Sequence, residues 1–218
     1  GVQTCALPIC SSNGGIALDI HTYINTQTLS IDIKNNTLRE VRVRYADESK
    51  LKDNPIKTFI VLENNVFQEY NTAILLWNGT LDPALQTKLP NINILNNTFT
   101  TTTSGDLSTA FWEPCTSKCY LTPYIKMFNN LYTEGKLYTG YLAKPIEANN
   151  MRSNKDYFVN YDAGNFRLKS TSPAVDAATS DLYPKMDKSG KLRPIDGKLT
   201  GKPLPDVGAY EYDPKDTK

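Results

Sequence analysis

Four stretches limit what this chain can fold into more than any other feature. IDIKNNTL (31–38), IVLENNVF (60–67), INILNNTF (92–99) and IKMFNNLY (125–132) share one pattern: apolar-x-apolar-x-Asn-Asn-x-large apolar. The first Asn of each falls at 35, 64, 96 and 129, so the spacing is 29, 32 and 33 residues. Self-similarity at such a period marks a chain built of stacked repeats. Within a unit the two leading apolar residues, Ile31 and Ile33 in the first, alternate with polar neighbours and share one face of a strand. Asn tolerates the left-handed backbone region that a sharp bend needs. After the bend Leu38, Phe67, Phe99 and Tyr132 face inward again. Stacking such corners sets Asn35, Asn64, Asn96 and Asn129 in a column at about 4.8 Å per step, where each amide can bond the next as a structural ladder.

Other segments fit the same plan. GGIAL (14–18) and TAILLW (72–77) read as further strands before the first and third units, and 47–55 and 100–109 read as loops between strands. An antiparallel sandwich is the alternative, and it is weaker. Sandwich strands do not repeat one Asn-Asn corner in register, and Asn-Gly hairpin signals occur only at 13–14 and 78–79.

Composition narrows the function. A net charge of +1 on 218 residues gives no electrostatic footprint for nucleic acid. No stretch reaches the length of a transmembrane helix. A single His disfavours most zinc sites and Ser-His triads. Cys115 and Cys119 in PCTSKCY stand open between a short disulfide, free thiols and, third, a metal site that lacks further ligands.

The opening GVQTCALPI (1–9) resembles, in all nine residues, the conceptual translation of a common sequencing-library adapter. It shows neither the basic start nor the apolar run of a secretory signal. The resemblance implies that 1–9 is an artefact and that the biological chain begins upstream of Cys10.

FRLKSTSPAVDAA (166–178) and DVGAYEY (206–212) resemble the terminal coil of secreted bacterial right-handed parallel β-helix proteins, a group that includes polysaccharide-lyase-like members and surface proteins. The resemblance implies an all-β fold: a right-handed parallel β-helix, or solenoid, with an irregular C-terminal cap. Coils are expected over 10–165, truncated at the N-terminus, and a terminal coil and cap over 166–218. Val207, Ala209 and Tyr210 are expected to return to the last coil. It further implies export to the medium or cell surface, a polysaccharide partner, no nucleic acid, no membrane span and a monomer.

Candidate site residues come from the pattern of side chains. In LREVRVRY (38–45), Val41 and Val43 are expected inside, so Glu40, Arg42 and Arg44 line an outer strand face. Two arginines at this spacing suit the carboxylates of an acidic glycan. The competing reading is a solvated face in which they pair with Glu40 or Glu63. Trp77 and Trp112 offer flat faces for a sugar ring, or else cover the core's ends. Glu113 is a candidate acid without an identifiable partner. Catalytic residues are not assigned, and lyase or hydrolase chemistry stays open beside a non-catalytic adhesin or stalk. Asp176, Arg193, Asp206 and Glu211 are expected to form structural ion pairs of the cap. Calcium on Asp187 and Asp206 remains an alternative, though the spacing matches no EF-hand loop, and no other metal is expected. Asn-x-Thr sequons stand at Asn35, Asn78 and Asn96.

Overall fold

The computed structural model describes residues 4–10, 16–23, 28–46, 57–69, 72–77, 91–101, 109–112, 125–139, 145–178 and 182–216. The chain enters through strand β1 (Thr4–Cys10) and then visits three sheets in a fixed order. The first circuit is β2 (Ile16–Tyr23), β3 (Thr28–Lys34) and β4 (Thr37–Leu38). The second is β5 (Glu40–Ala46), β6 (Lys57–Glu63) and β7 (Val66–Gln68). The third is β8 (Thr72–Trp77), β9 (Asn91–Leu95) and β10 (Thr98–Thr100). The fourth is β11 (Thr109–Trp112), β12 (Ile125–Phe128) and β13 (Leu131–Tyr132). The fifth is β14 (Lys136–Thr139), β15 (Ile146–Ala148) and β16 (Met151–Arg152). The first strands of the circuits pair in parallel as one sheet, the second strands as another, the third strands as the last, and none of the sheets is closed. The expected all-β class is therefore present, in parallel sheets with almost no helix.

The repeat explains the core. Parallel register stacks Ile31, Ile60, Ile92 and Ile125 in one column and Ile33, Leu62, Ile94 and Met127 in the next. All eight are buried. Beyond the bend Leu38, Phe67, Phe99 and Tyr132 are aligned, and the Phe67 and Phe99 rings stack at 4.9 Å and 11°. Burying a column of such side chains supplies about 1.5–3 kcal/mol per residue, which the polar bends then distribute into separate sheets.

A fifth unit escapes the sequence pattern. Asn149 and Asn150 turn the chain between β15 and β16, and Asn149 has the φ of +51° that the other first asparagines share. Its strand is offset: Ile146 aligns with Lys126 rather than with Ile125, and is half exposed.

The two ends of the stack are formed differently. The adapter-like stretch is a strand, β1, antiparallel to β2 from Thr4 opposite Thr22 to Cys10 opposite Ile16. Pro8 cannot donate to a ladder, and an outermost strand tolerates it. At the other end, the fifth circuit closes with β16 at Arg152. A hairpin, β17 (Phe158–Asn160) with β18 (Asn165–Leu168), follows.

The C-terminal stretch does not sit as a lid on the last circuit. Its apolar residues Phe158, Phe166, Leu168, Val175, Val207 and Ala209 pack with Val66 and Leu131, one from the second circuit and one from the fourth. Both lie one position before core residues Phe67 and Tyr132, on the outer face of the third-strand sheet. That face carries Val66, Thr98 and Leu131, and the terminal segment covers it there, whereas Thr37 at the same position of β4 is exposed.

Candidate functional site

The column of asparagines is double. The first asparagine of each pair takes the bend, with φ of +60°, +54°, +51° and +57° at Asn35, Asn64, Asn96 and Asn129. The stacking expected of these four appears only between Asn129 Nδ2 and Asn96 Oδ1, at 3.5 Å. The continuous ladder runs through the second asparagines. Asn65 Nδ2 donates to Asn97 Oδ1 (3.1 Å), Asn97 to Asn130 (3.1 Å) and Asn130 to Asn150 (2.9 Å). Each Oδ1 also accepts the backbone N–H of the preceding circuit's asparagine, at 2.9–3.0 Å. Each Nδ2 reaches back to a preceding strand's carbonyl, Ile33, Leu62, Ile94 and Met127 in turn. A bend breaks the sheet ladder, and buried backbone groups at it need other partners; these amides are those partners.

The first asparagines face the other way and hold the terminal segment. Asn129 donates to the Leu182 carbonyl, Asn64 to Met186 and Asn96 to Asp206, while Lys188 Nζ donates to the Asn35 carbonyl. Asn96 is wholly buried in this contact, whereas Asn35 is exposed. Asn78 and Asn13 lie outside the described residues.

The charged residues of the terminal segment form a buried knot. Asp187, Arg193, Asp206 and Glu211 all have 7% exposure or less. Arg193 donates to the Asp206 and Gly208 carbonyls, at 3.1 and 2.9 Å, and its Nε lies 3.4 Å from Glu211 Oε2. That Nε makes no hydrogen bond, so the pair attracts by charge without the directed geometry of a fork. Asp206 accepts the N–H groups of Asp176 and Tyr212, and Glu211 those of Ile195 and Asp206. Asp187 accepts from Ser189, Lys191 and Glu211. Asp176 accepts from Gly197 and Lys198. Burial, reinforced by Glu211, pushes the Asp206 carboxyl up to about 8, against the pull of its backbone donors and Arg193. Burial raises Glu211 as well and lowers Arg193 against the attraction of its carboxylates. The oxygens of Asp187 and Asp206 are thus engaged by N–H donors, a poor fit to calcium, which needs them as ligands. Among the described residues no group of three or more His, Cys, Asp or Glu is arranged to hold a metal. The knot fixes local structure.

The glycan candidates fall elsewhere, and the register brings four of them together. Val41 is aligned with Ile74, and Ile74 with Phe111; Val41 and Ile74 are core residues. One position on, Asp19, Arg42, Leu75 and Trp112 form a row across β2, β5, β8 and β11 on the opposite face. Two positions beyond Arg42, the row is His21, Arg44 and Trp77. Arg42, Arg44, Trp77 and Trp112 therefore occupy one face of one sheet, on adjacent strands spaced about 4.8 Å. Arg42 is forked by Glu40 of its own strand, Nε–Oε1 2.6 Å and Nη2–Oε2 3.0 Å. Glu63 is taken instead by Lys34 of the neighbouring circuit, at 3.2 Å. His21 and Asp19 join the face from β2, a contribution that the repeat pattern did not single out. Glu113, Cys115 and Cys119 lie outside the described residues.

Compared with family models, curated proteins and solved structures, the chain matches none. No helix among the described residues is long and apolar enough to cross a membrane.

Proposed function

We propose that the chain is a right-handed parallel β-helix protein, exported by a bacterium and acting as a monomer, that binds or degrades polysaccharide, with acidic glycans favoured. The observation that carries this is the strand register that sets Arg42, Arg44, Trp77 and Trp112 at positions on one face of one sheet, Arg42 being held there by Glu40. Flat indole faces suit sugar rings and guanidinium forks suit carboxylates. A parallel sheet repeats them at a fixed step, as an extended chain ligand requires. A panel of alginate, pectin and chondroitin tests it twice. Binding is read by calorimetry, and lyase activity by the ultraviolet absorbance of unsaturated sugars. Binding of one or more members is expected; silence across the panel removes the reading.

A second reading is a non-catalytic stalk or adhesin at the cell surface. It is favoured by the amide ladder and by the terminal segment bonded along four circuits, which resist bending. Binding without bond cleavage, together with adhesion to cells, would support it.

A further inference from the structure

We propose that the open end of the second and third sheets is a docking edge for an extended segment of a partner chain with the pattern apolar-x-apolar-x-Asn-Asn, which adds beside β3 and β4 as one further circuit. The proposal is independent of the glycan reading. Among the described residues β3 and β4 are the outermost strands of their sheets, and β1 pairs with β2, in the first sheet. An outermost strand offers unpaired N–H and C=O groups to another chain, and folds blunt such edges with proline or inward-pointing charge. The far end of the stack is blunted in that way. In the column of Ile33, Leu62, Ile94 and Met127 the fifth circuit places Glu147, which is exposed. The near end is not. Ile31, Ile33 and Leu38 hold its inner positions at 5–7% exposure, and 28–38 contains no proline.

The amide ladder specifies the occupant. In each later circuit the second asparagine reaches the circuit before with both ends of its amide. Asn65 Oδ1 accepts the Asn36 N–H at 3.0 Å, and Asn65 Nδ2 donates to the Ile33 carbonyl at 2.7 Å. Asn97 Nδ2 bonds backward to the Leu62 carbonyl and, within its own circuit, to that of Leu95. Asn36 Nδ2 makes the own-circuit bond, to the Lys34 carbonyl at 2.8 Å, and no described circuit precedes it to take the other. The main chain runs the same way. Val66, Thr98, Leu131 and Met151 each donate to the carbonyl of the second asparagine in the circuit before, and Thr37 is their equivalent in the first circuit. Asn36 and Thr37 are both exposed. An incoming segment therefore needs a corner residue able to take positive φ, and after it one whose N–H meets Asn36 Oδ1. Alternate apolar residues before the corner would cover Ile31 and Ile33.

The probe is a labelled peptide NINILNNTFT, the chain's own 91–100, titrated with the full chain and read by fluorescence anisotropy. Saturable binding is expected, with slower hydrogen exchange at Thr37. The same peptide carrying Asn96→Pro, which cannot take positive φ, should not bind. Asn36→Ala in the chain should weaken binding about five- to tenfold while its urea midpoint stays near that of the wild type. Absence of binding, or binding that ignores either substitution, overturns the docking edge. So does sedimentation showing that the chain pairs with itself and that the peptide does not part the pair, since the edge is then taken by a second copy.

Discussion

An asparagine in the middle of the ladder and one at its end have the same side chain and different environments. Asn97 is wholly buried and bonds Asn65, Asn130, Leu62 and Leu95. Asn97→Ala leaves several of those groups without partners in a dry interior and should cost at least about 2 kcal/mol. Asn36 is exposed, and its side-chain amide donates to the Lys34 carbonyl two residues back. Asn36→Ala should stay within about 0.5 kcal/mol. Urea unfolding midpoints of the two variants check this, and equal losses would mean that the ladder does not support the fold. The spacing made the pair visible, but it could not say which asparagine stacks. The distinction is conformational. A residue at positive φ turns its side chain away from the interior, so the first of the pair reaches outward and the second fills the corner.

At the scale of elements, the inner strands were legible because they depend on period-two alternation, which each strand carries by itself. The fifth unit was not. Its Ile is one place out of step, and its first Asn follows Asn129 by only 20 residues. The path of the terminal segment was also hidden, since its bonds to the asparagines join residues 53 to 153 apart. One residue reports how closely that segment lies. Gly208 has φ of +101°, and a Cβ there would meet Thr98 Oγ1 at 2.8 Å and Leu131 Cβ at 3.1 Å. Gly208→Ala should therefore lift the segment from the third-strand sheet, at about 1–3 kcal/mol. The expected readout is faster hydrogen exchange at positions 208 and 209, whose N–H groups bond Asn129 and Thr98, with the Ile columns still protected.

For the molecule as a whole, the buried carboxyls set how stability follows pH. An aspartate in an unfolded chain titrates near 3.9, roughly. In the folded chain Asp206 is pushed up to about 8. Between those values the folded state keeps a proton that the unfolded state has lost. This group's stabilisation is therefore complete below about pH 4 and is lost as pH rises toward 8, at up to about 1.4 kcal/mol per unit. Denaturant midpoints at pH 5, 6.5 and 8 should fall in that order, and Asp206→Asn should remove its share of the slope. A slope unchanged by Asp206→Asn would place the proton elsewhere. The glycan candidates were legible as residues, but their placement on one face of one sheet was not. Arg42 and Arg44 stand together in sequence, whereas Trp77, Trp112 and His21 join them only through strand register.

The bonds from Asn129, Asn64 and Asn35 to Leu182, Met186 and Lys188 also act as a ruler. A stack of like units can ordinarily grow or shrink by duplication, because each unit meets only its neighbours. Here a stretch of chain is laid lengthwise against the stack, with its contact points at set intervals. Adding or deleting one unit between Asn35 and Asn129 would shift every later contact out of step at once. The length of the stack is therefore coupled to a segment outside it. Loops between strands can vary in size without cost to that match, whereas the number of corners cannot.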